Sequence, residues 1–172
     1  MGERLNALNV ALTNELREHE FYLNNAKRTR NRVGQAMFEQ IAAEELEHYE
    51  RLKQLAEVWS KEEKWPETVP LQVKNTIVRD ILKDMVEKSA AGSESEADDI
   101  RAIQTAIEFE AKGAAYYAYL REQVTDPREK AFFDLMAKIE QEHYASLRET
   151  EEYFTDPTGY YRRTERGGLD GA

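Results

Sequence analysis

The sequence predicts an all-α protein, a four-helix bundle made of two similar helical hairpins. Apolar residues recur at intervals of three and four over long stretches, which is the spacing of one face of a helix. Charged residues make up 34% of the chain, whereas glycine and proline number only 8 and 4, a composition typical of long amphipathic helices. The pattern around Glu15 and Glu45 recurs around Glu110 and Glu140, 95 residues further on (110 − 15 and 140 − 45), which indicates a duplicated hairpin.

Length and composition limit the kinds of protein that fit. A chain of 172 residues can form one domain with a sizeable core, and we expect a single domain. The net charge of −10 argues against nucleic acid or an anionic membrane as a partner, because both require a basic surface. The absence of cysteine excludes disulfides, thiolate metal sites and cysteine nucleophiles. Without a signal-peptide pattern or an apolar run of about 18 residues, the protein is expected to be soluble and cytoplasmic.

Two amphipathic segments predict the first hairpin. The first helix covers roughly residues 3–30, and its apolar stripe includes Glu15, an unusual position for a carboxylate. Gly34 is the predicted break before a second helix at about 35–63. The stripe of that helix carries a Glu-x-x-His motif, Glu45 to His48, where leucine would be expected.

A long crossover, about residues 64–95, is predicted to connect the hairpins. Two prolines within 65–70 interrupt the second helix, and a shorter amphipathic helix follows within 71–88. A stretch resembling a capping box, at 95–98, starts the third long helix, which has Glu110 in its stripe. Asp126 and Pro127 predict the N-cap and first position of a fourth helix, which runs to about Phe154.

The C-terminal tail, 156–172, is expected to belong to the same domain as the bundle (1–155) or to be flexible. Its residues 156–159 predict a turn. The final residues are expected to be flexible or to await a partner surface.

The repeat predicts that the two motifs contribute to one metal site. A shift of 95 residues superposes four pairs: Glu15 on Glu110, Tyr22 on Tyr117, Glu45 on Glu140, and His48 on His143. Buried carboxylates and imidazoles cost free energy unless a cation compensates them. Four carboxylates would neutralise two divalent ions, and oxygen and imidazole ligands without sulfur suit iron, manganese or a mixed pair. Zinc is expected to bind readily during purification and to be an artefact.

The remaining polar residues near the site are given supporting or surface roles. Tyr22 and Tyr117 are interpreted as core aromatics that support the ligands. His19, one turn after Glu15, is expected to be packed and not to bind metal. Four other glutamates are assigned to the outer, solvated face: Glu44, Glu47, Glu108 and Glu142.

At residues 5–155 the sequence resembles the rubrerythrin-like branch of the ferritin-like superfamily. The likeness is carried by four motifs: Glu15-x6-Tyr22, Glu45-x-x-His48, Glu110-x6-Tyr117 and Glu140-x-x-His143. The resemblance implies a ferritin-like bundle with a non-haem di-iron centre that reacts with peroxide or dioxygen. It further implies that the two Glu-x-x-His glutamates bridge the metals, that the other two each cap one metal, and that a tyrosine hydrogen-bonds a ligand carboxylate. A homodimer is expected by the same analogy.

The sequence departs from rubrerythrin in two ways. It lacks the cysteine-rich rubredoxin domain, so reduction requires an external donor, either rubredoxin-like or a flavoprotein. Rubrerythrin also places an extra carboxylate three residues after its third-helix ligand, and this chain has Gly113 there. The equivalent place in the first half is Glu18, which we hypothesise to be an extra metal ligand acting with His143.

Three functions fit these residues. The first hypothesis is a di-iron oxidoreductase that reduces hydrogen peroxide or dioxygen. The alternative is an iron-binding or ferroxidase protein for iron storage or delivery. In the third, the metal is purely structural.

Overall fold

The computed structural model describes residues 2–62, 76–88 and 97–167, and these residues form six helices. The four long helices are α1 (Gly2–Arg28), α2 (Arg32–Glu62), α4 (Ala97–Gln123) and α5 (Pro127–Thr155). The two short helices are α3 (Val78–Lys88) and α6 (Pro157–Gly167). The predicted all-α fold is confirmed. None of the helices in the described part is long and apolar enough to span a membrane.

The duplication predicted from the sequence is visible in the helix boundaries. The first residues of α1 and α4 are 2 and 97, and those of α2 and α5 are 32 and 127, so each pair begins 95 residues apart. Within each half the two helices form an antiparallel hairpin, and the hairpins meet where α1 packs on α4 and α2 on α5. A pseudo-twofold axis therefore passes between α1 and α4 and between α2 and α5.

The turn of the first hairpin lies at residues 29–31, and the predicted break at Gly34 is wrong. The Asn31 side chain caps α2, because its Oδ1 accepts hydrogen bonds from the backbone N–H groups of Val33 (2.9 Å) and Gly34 (3.2 Å). Gly34 lies in the first turn of α2, where an added Cβ would be 3.0 Å from the ring of Phe154. Glycine is needed there for close packing.

The crossover helix α3 covers one side of the bundle. It packs on α2 and α5, and its residues Val78 and Leu82 are fully buried. The predicted proline break at 65–70 and the first two residues of the capping stretch at 95–98 lie outside the described residues.

The second hairpin continues into a helix that the sequence did not predict. As predicted, Asp126 is the N-cap of α5, since its side chain accepts from the backbone N–H groups of Arg128 (2.8 Å) and Glu129 (3.4 Å). The predicted turn at 156–159 is the first turn of α6, which Asp156 caps by accepting from the N–H of Gly159 at 2.9 Å. Tyr160 is buried against α5. Residues 168–172 lie outside the described part.

Two apolar clusters fill the bundle, one toward each end. The first surrounds Tyr22 and Phe38 and includes the buried residues of α3 and α6. The second surrounds Leu52 and Phe133. Between them lies a layer of buried ionisable side chains, and the apolar clusters above and below offer these groups no polar partners.

Candidate metal centre

Six ionisable side chains from all four long helices converge in this layer. The helices contribute Glu15 (α1), Glu45 and His48 (α2), Glu110 (α4), and Glu140 and His143 (α5). Each has a fractional exposure of 0% or 1%. The helical spacing explains the convergence, since a Glu and a His three residues apart lie on one face, and the duplication places a second copy opposite the first.

The six side chains form two overlapping groups. One consists of Glu15, Glu45, His48 and Glu140, and the other of Glu45, Glu110, Glu140 and His143. Within each group, one ligand atom from every residue lies within 4.8 Å of the others. The centroids of the two imidazole rings are 6.0 Å apart. Because Glu45 and Glu140 belong to both groups, the arrangement can hold two cations side by side with two shared carboxylates.

Unsatisfied polar atoms in the layer fit such cations. Five buried atoms have no hydrogen-bond partner: Glu45 Oε1, Glu110 Oε2, Glu140 Oε1 and Oε2, and His143 Nδ1. His143 Nδ1 lies 3.1 Å from Glu45 Oε1, but without the orientation of a hydrogen bond. Each such atom costs about 1–3 kcal/mol. A cation bound among them would satisfy several at once, so this donor set fits metal ions.

Without metal, protons balance the charge of the cluster. Burial, followed by the charge of Glu45, raises the pKa of Glu15 to about 8. For His48, burial lowers the pKa, but the facing carboxylates of Glu45 and Glu15 outweigh it and raise the pKa to about 10. For Glu45, burial raises the pKa, but the imidazoles of His48 and His143 outweigh it, so the net pKa is lowered. Metal binding must therefore displace protons from the cluster.

Two buried tyrosines connect the hairpins through the glutamates. Tyr22 on α1 donates a short hydrogen bond to Glu110 Oε1 on α4. Tyr117 on α4 donates the equivalent bond to Glu15 Oε1 on α1. Burial and then the charge of the facing glutamate raise both tyrosine pKa values well above the ordinary range, so both hydroxyls remain donors. The pair fixes one oxygen of each carboxylate and leaves the other available for the centre of the layer.

Two other residues singled out from the sequence lie beside the groups and belong to neither. His19 Nδ1 is 2.6 Å from the carbonyl oxygen of Ala42, in the contact between α1 and α2, as expected of a packed histidine. Glu18 is half-buried, and burial followed by the charges of Glu45 and Glu110 raises its pKa to about 10. Glu18 therefore interacts electrostatically with the cluster, and its role as an extra ligand stays a prediction.

Glu44 was assigned to the outer face, and this interpretation is wrong. The Nε2 of His143 donates to Glu44 Oε2 at 2.7 Å, so that its Nδ1 points into the cluster. The other oxygen of Glu44 accepts from the side chain of Gln40 (2.7 Å) and from the backbone N–H of Ile77 (3.2 Å). A signal was present in the repeat, because the position equivalent to Glu44 is Ile139, an apolar residue that is only 3% exposed.

The other three glutamates assigned to the outer face differ in exposure. Glu108 and Glu142 are exposed, as expected. Glu47 is half-buried and lies 4.0 Å from Arg51, one helical turn away.

A comparison with family models gives one match over most of the chain. The model described as Rubrerythrin matches residues 6–149, which is well over half of the sequence. Searches of the curated proteins and of the solved structures found no match. The matched region contains all six side chains of the cluster and both tyrosines.

Proposed function

Because the chain belongs to the rubrerythrin family, we propose that it is a non-haem di-iron oxidoreductase that reduces hydrogen peroxide or dioxygen. The observation that carries the proposal is the pair of overlapping Glu and His groups, whose buried oxygen and nitrogen atoms lack hydrogen-bond partners. Iron is proposed from the family, and the oxygen and imidazole donors suit iron or manganese.

The geometry supports a specific assignment of ligands. Glu45 and Glu140 would be shared by the two ions, because each belongs to both groups. Glu15 and His48 would complete the ligands of one ion, and Glu110 and His143 those of the other. Four carboxylates and two neutral imidazoles then balance two divalent ions, so the buried layer becomes neutral.

The bound ions would supply the two electrons that reduce one peroxide, which takes up two protons to give two waters, and an external donor would then restore the electrons. The protein contributes position and surroundings. Tyr22 and Tyr117 hold Glu110 and Glu15 in place through their hydroxyls. The apolar clusters around Phe38 and Leu52 exclude water above and below the layer. Since the chain has no cysteine, the donor is proposed to be a separate rubredoxin-like protein or flavoprotein.

The proposal is tested by loading the protein with ferrous iron under anaerobic conditions and adding one equivalent of hydrogen peroxide or dioxygen. The visible and near-ultraviolet spectrum is expected to change rapidly as the iron is oxidised, and a chemical reductant should restore it for repeated cycles. Iron content is measured before and after. About two ions per chain should remain bound throughout.

The same experiment distinguishes the rival functions. Uptake and oxidation of many more ions per chain, together with a large hollow assembly in solution, would instead indicate iron storage. A spectrum that does not respond to either oxidant would indicate a structural metal. A solution mass of two subunits would agree with the homodimer that we propose by family analogy.

Glu44→Ile is expected to weaken one of the two metal positions. The change copies the apolar residue of the second half and leaves His143 Nε2 without its carboxylate. Loss of such a hydrogen bond behind a histidine ligand typically lowers metal affinity about 10–100-fold. Competition with a chelator should show one ion released early and the other retained. Glu142→Gln is the matched control, since Glu142 is exposed beside His143, and equal retention in the two variants would contradict the positioning role of Glu44.

A further inference from the structure

A cavity opens on the face of the bundle where α1 meets α4. Its volume is about 340 Å³, which is room for several waters at about 30 Å³ each. Most of its wall consists of residues that the repeat relates by 95 positions: Asn14 with Phe109, Arg17 with Lys112, and Glu18 with Gly113. The cavity therefore lies on the pseudo-twofold axis, directly over the centre of the cluster.

The floor of the cavity lies beside one of the proposed metal ligands, Glu140, which is itself fully buried. An added Cβ on Gly113 would lie 3.1 Å from Glu140 Oε2. No side chain therefore stands between Gly113 in the cavity wall and that carboxylate. Opposite Gly113, Glu18 also lines the cavity and interacts electrostatically with Glu45 and Glu110. A side chain on α4 at the position equivalent to Glu18 would occupy the space next to Glu140, and glycine leaves that space free of side-chain atoms.

The other approaches along the axis and the bundle are covered. On the opposite face, α3 packs across α2 and α5, and the N–H of Ile77, just before α3, bonds to Glu44. Toward the two ends of the bundle, the apolar clusters around Phe38 and Leu52 close the layer. Among the described residues, the α1–α4 face is thus where a cavity approaches the cluster.

We propose that this cavity, between Glu18 and Gly113, is the access and binding site through which a small uncharged oxidant, hydrogen peroxide, reaches the metal pair. The inference rests on the function proposed above. Besides Glu18, the cationic Arg17 and Lys112 line the cavity, and Lys112 lies 3.7 Å from Glu108. A small neutral molecule such as peroxide is unaffected by this mixture of charges. Peroxide can donate and accept hydrogen bonds, which suits the mixed polar and aromatic wall.

Access can be measured without any metal chemistry, because the chain has no cysteine. Glu18→Cys places a single thiol on the floor, and Ala106→Cys places one in the closed core, where Ala106 is 0% exposed. Methyl methanethiosulfonate should label the first thiol rapidly and the second very slowly. Adding Asn14→Phe to Glu18→Cys should slow the labelling. Equal, slow labelling of Glu18→Cys and Ala106→Cys would overturn the proposal.

The route of peroxide is tested in the iron-loaded protein with Asn14→Phe. The change gives α1 the aromatic residue that α4 carries at the equivalent position, so the fold should tolerate it. Oxidation of the ferrous protein by hydrogen peroxide is expected to slow roughly tenfold, with iron content and melting temperature unchanged. Thr13→Phe is the control, because Thr13 is exposed and adds the same bulk outside the cavity. An unchanged rate in Asn14→Phe would overturn the proposed route, whereas a parent protein inert to peroxide would overturn the proposed function.

Discussion

Glu45→Gln is expected to abolish tight binding of both metal ions, whereas Glu15→Gln should weaken only one of them. Glu45 is shared by the two groups of side chains, and Glu15 belongs to one. Glutamine keeps the shape of the buried side chain but removes a charge from between the proposed ions, and each ion loses a ligand. The fully buried position makes this loss large, because no water can replace the carboxylate.

Iron content and a chelator titration measure this difference. Freshly isolated Glu45→Gln should contain almost no iron, and Glu15→Gln about half of the parent content. Glu142→Gln, an exposed change on α5, serves as the control and should retain the parent content. If Glu45→Gln kept both ions as tightly as the parent, the assignment of Glu45 as a shared ligand would be wrong.

The metal-free protein is expected to lose stability as the pH rises from about 5 to about 10, and the metal-loaded protein is not. In the folded protein Glu15 keeps its proton to about pH 8 instead of 4.5, and His48 keeps its proton to about pH 10 instead of 6.5. The folded state therefore binds more protons than the unfolded state within these windows, so raising the pH favours unfolding. Each extra proton changes the free energy of unfolding by ~1.4 kcal/mol per pH unit. Bound metal removes the effect because its ligands are already deprotonated.

Thermal unfolding at several pH values measures this dependence. For a chain of this size, the melting temperature of the metal-free protein should fall by roughly 3–6 °C per pH unit for each extra proton. Glu15→Gln should flatten the curve between about pH 4.5 and 8, since glutamine does not titrate. A melting temperature of the metal-free protein that rises over this range would show that the cluster is not held together by protons.

Residues on a regular helical stripe could be located from the sequence. The spacing of three and four put Glu45 and His48 on the buried face, and the repeat identified the equivalent pair on the second hairpin. The N-cap at Asp126 was also predicted, because an Asp-Pro start is a local signal. The structure brings the two Glu and His pairs together, and their role as metal ligands stays a prediction.

The features that the sequence did not predict depend on contacts between distant parts of the chain. Gly34 was interpreted as a break, but its role is close packing against Phe154 on α5, 120 residues away (154 − 34). Glu44 looked like a surface charge because its partners, His143 and the N–H of Ile77, come from other elements. An Asp-Pro sequence can start either an isolated turn or a helix, so residues 156–159 alone did not predict α6. The burial of Tyr160 against α5 favours the helix.

The twofold symmetry of the bundle is broken at two positions of the repeat, where Glu44 is equivalent to Ile139 and Glu18 is equivalent to Gly113. Both additional carboxylates belong to the first half of the chain, and Glu44 acts on the group that contains His143. Glu44 accepts a hydrogen bond from His143, and the residue at the position equivalent to Glu44 in the second half is apolar. Two cations held in this layer would therefore experience an uneven electric field. The ion beside Glu110 and His143 would be stabilised in the higher oxidation state, so the two metal positions would not be equivalent.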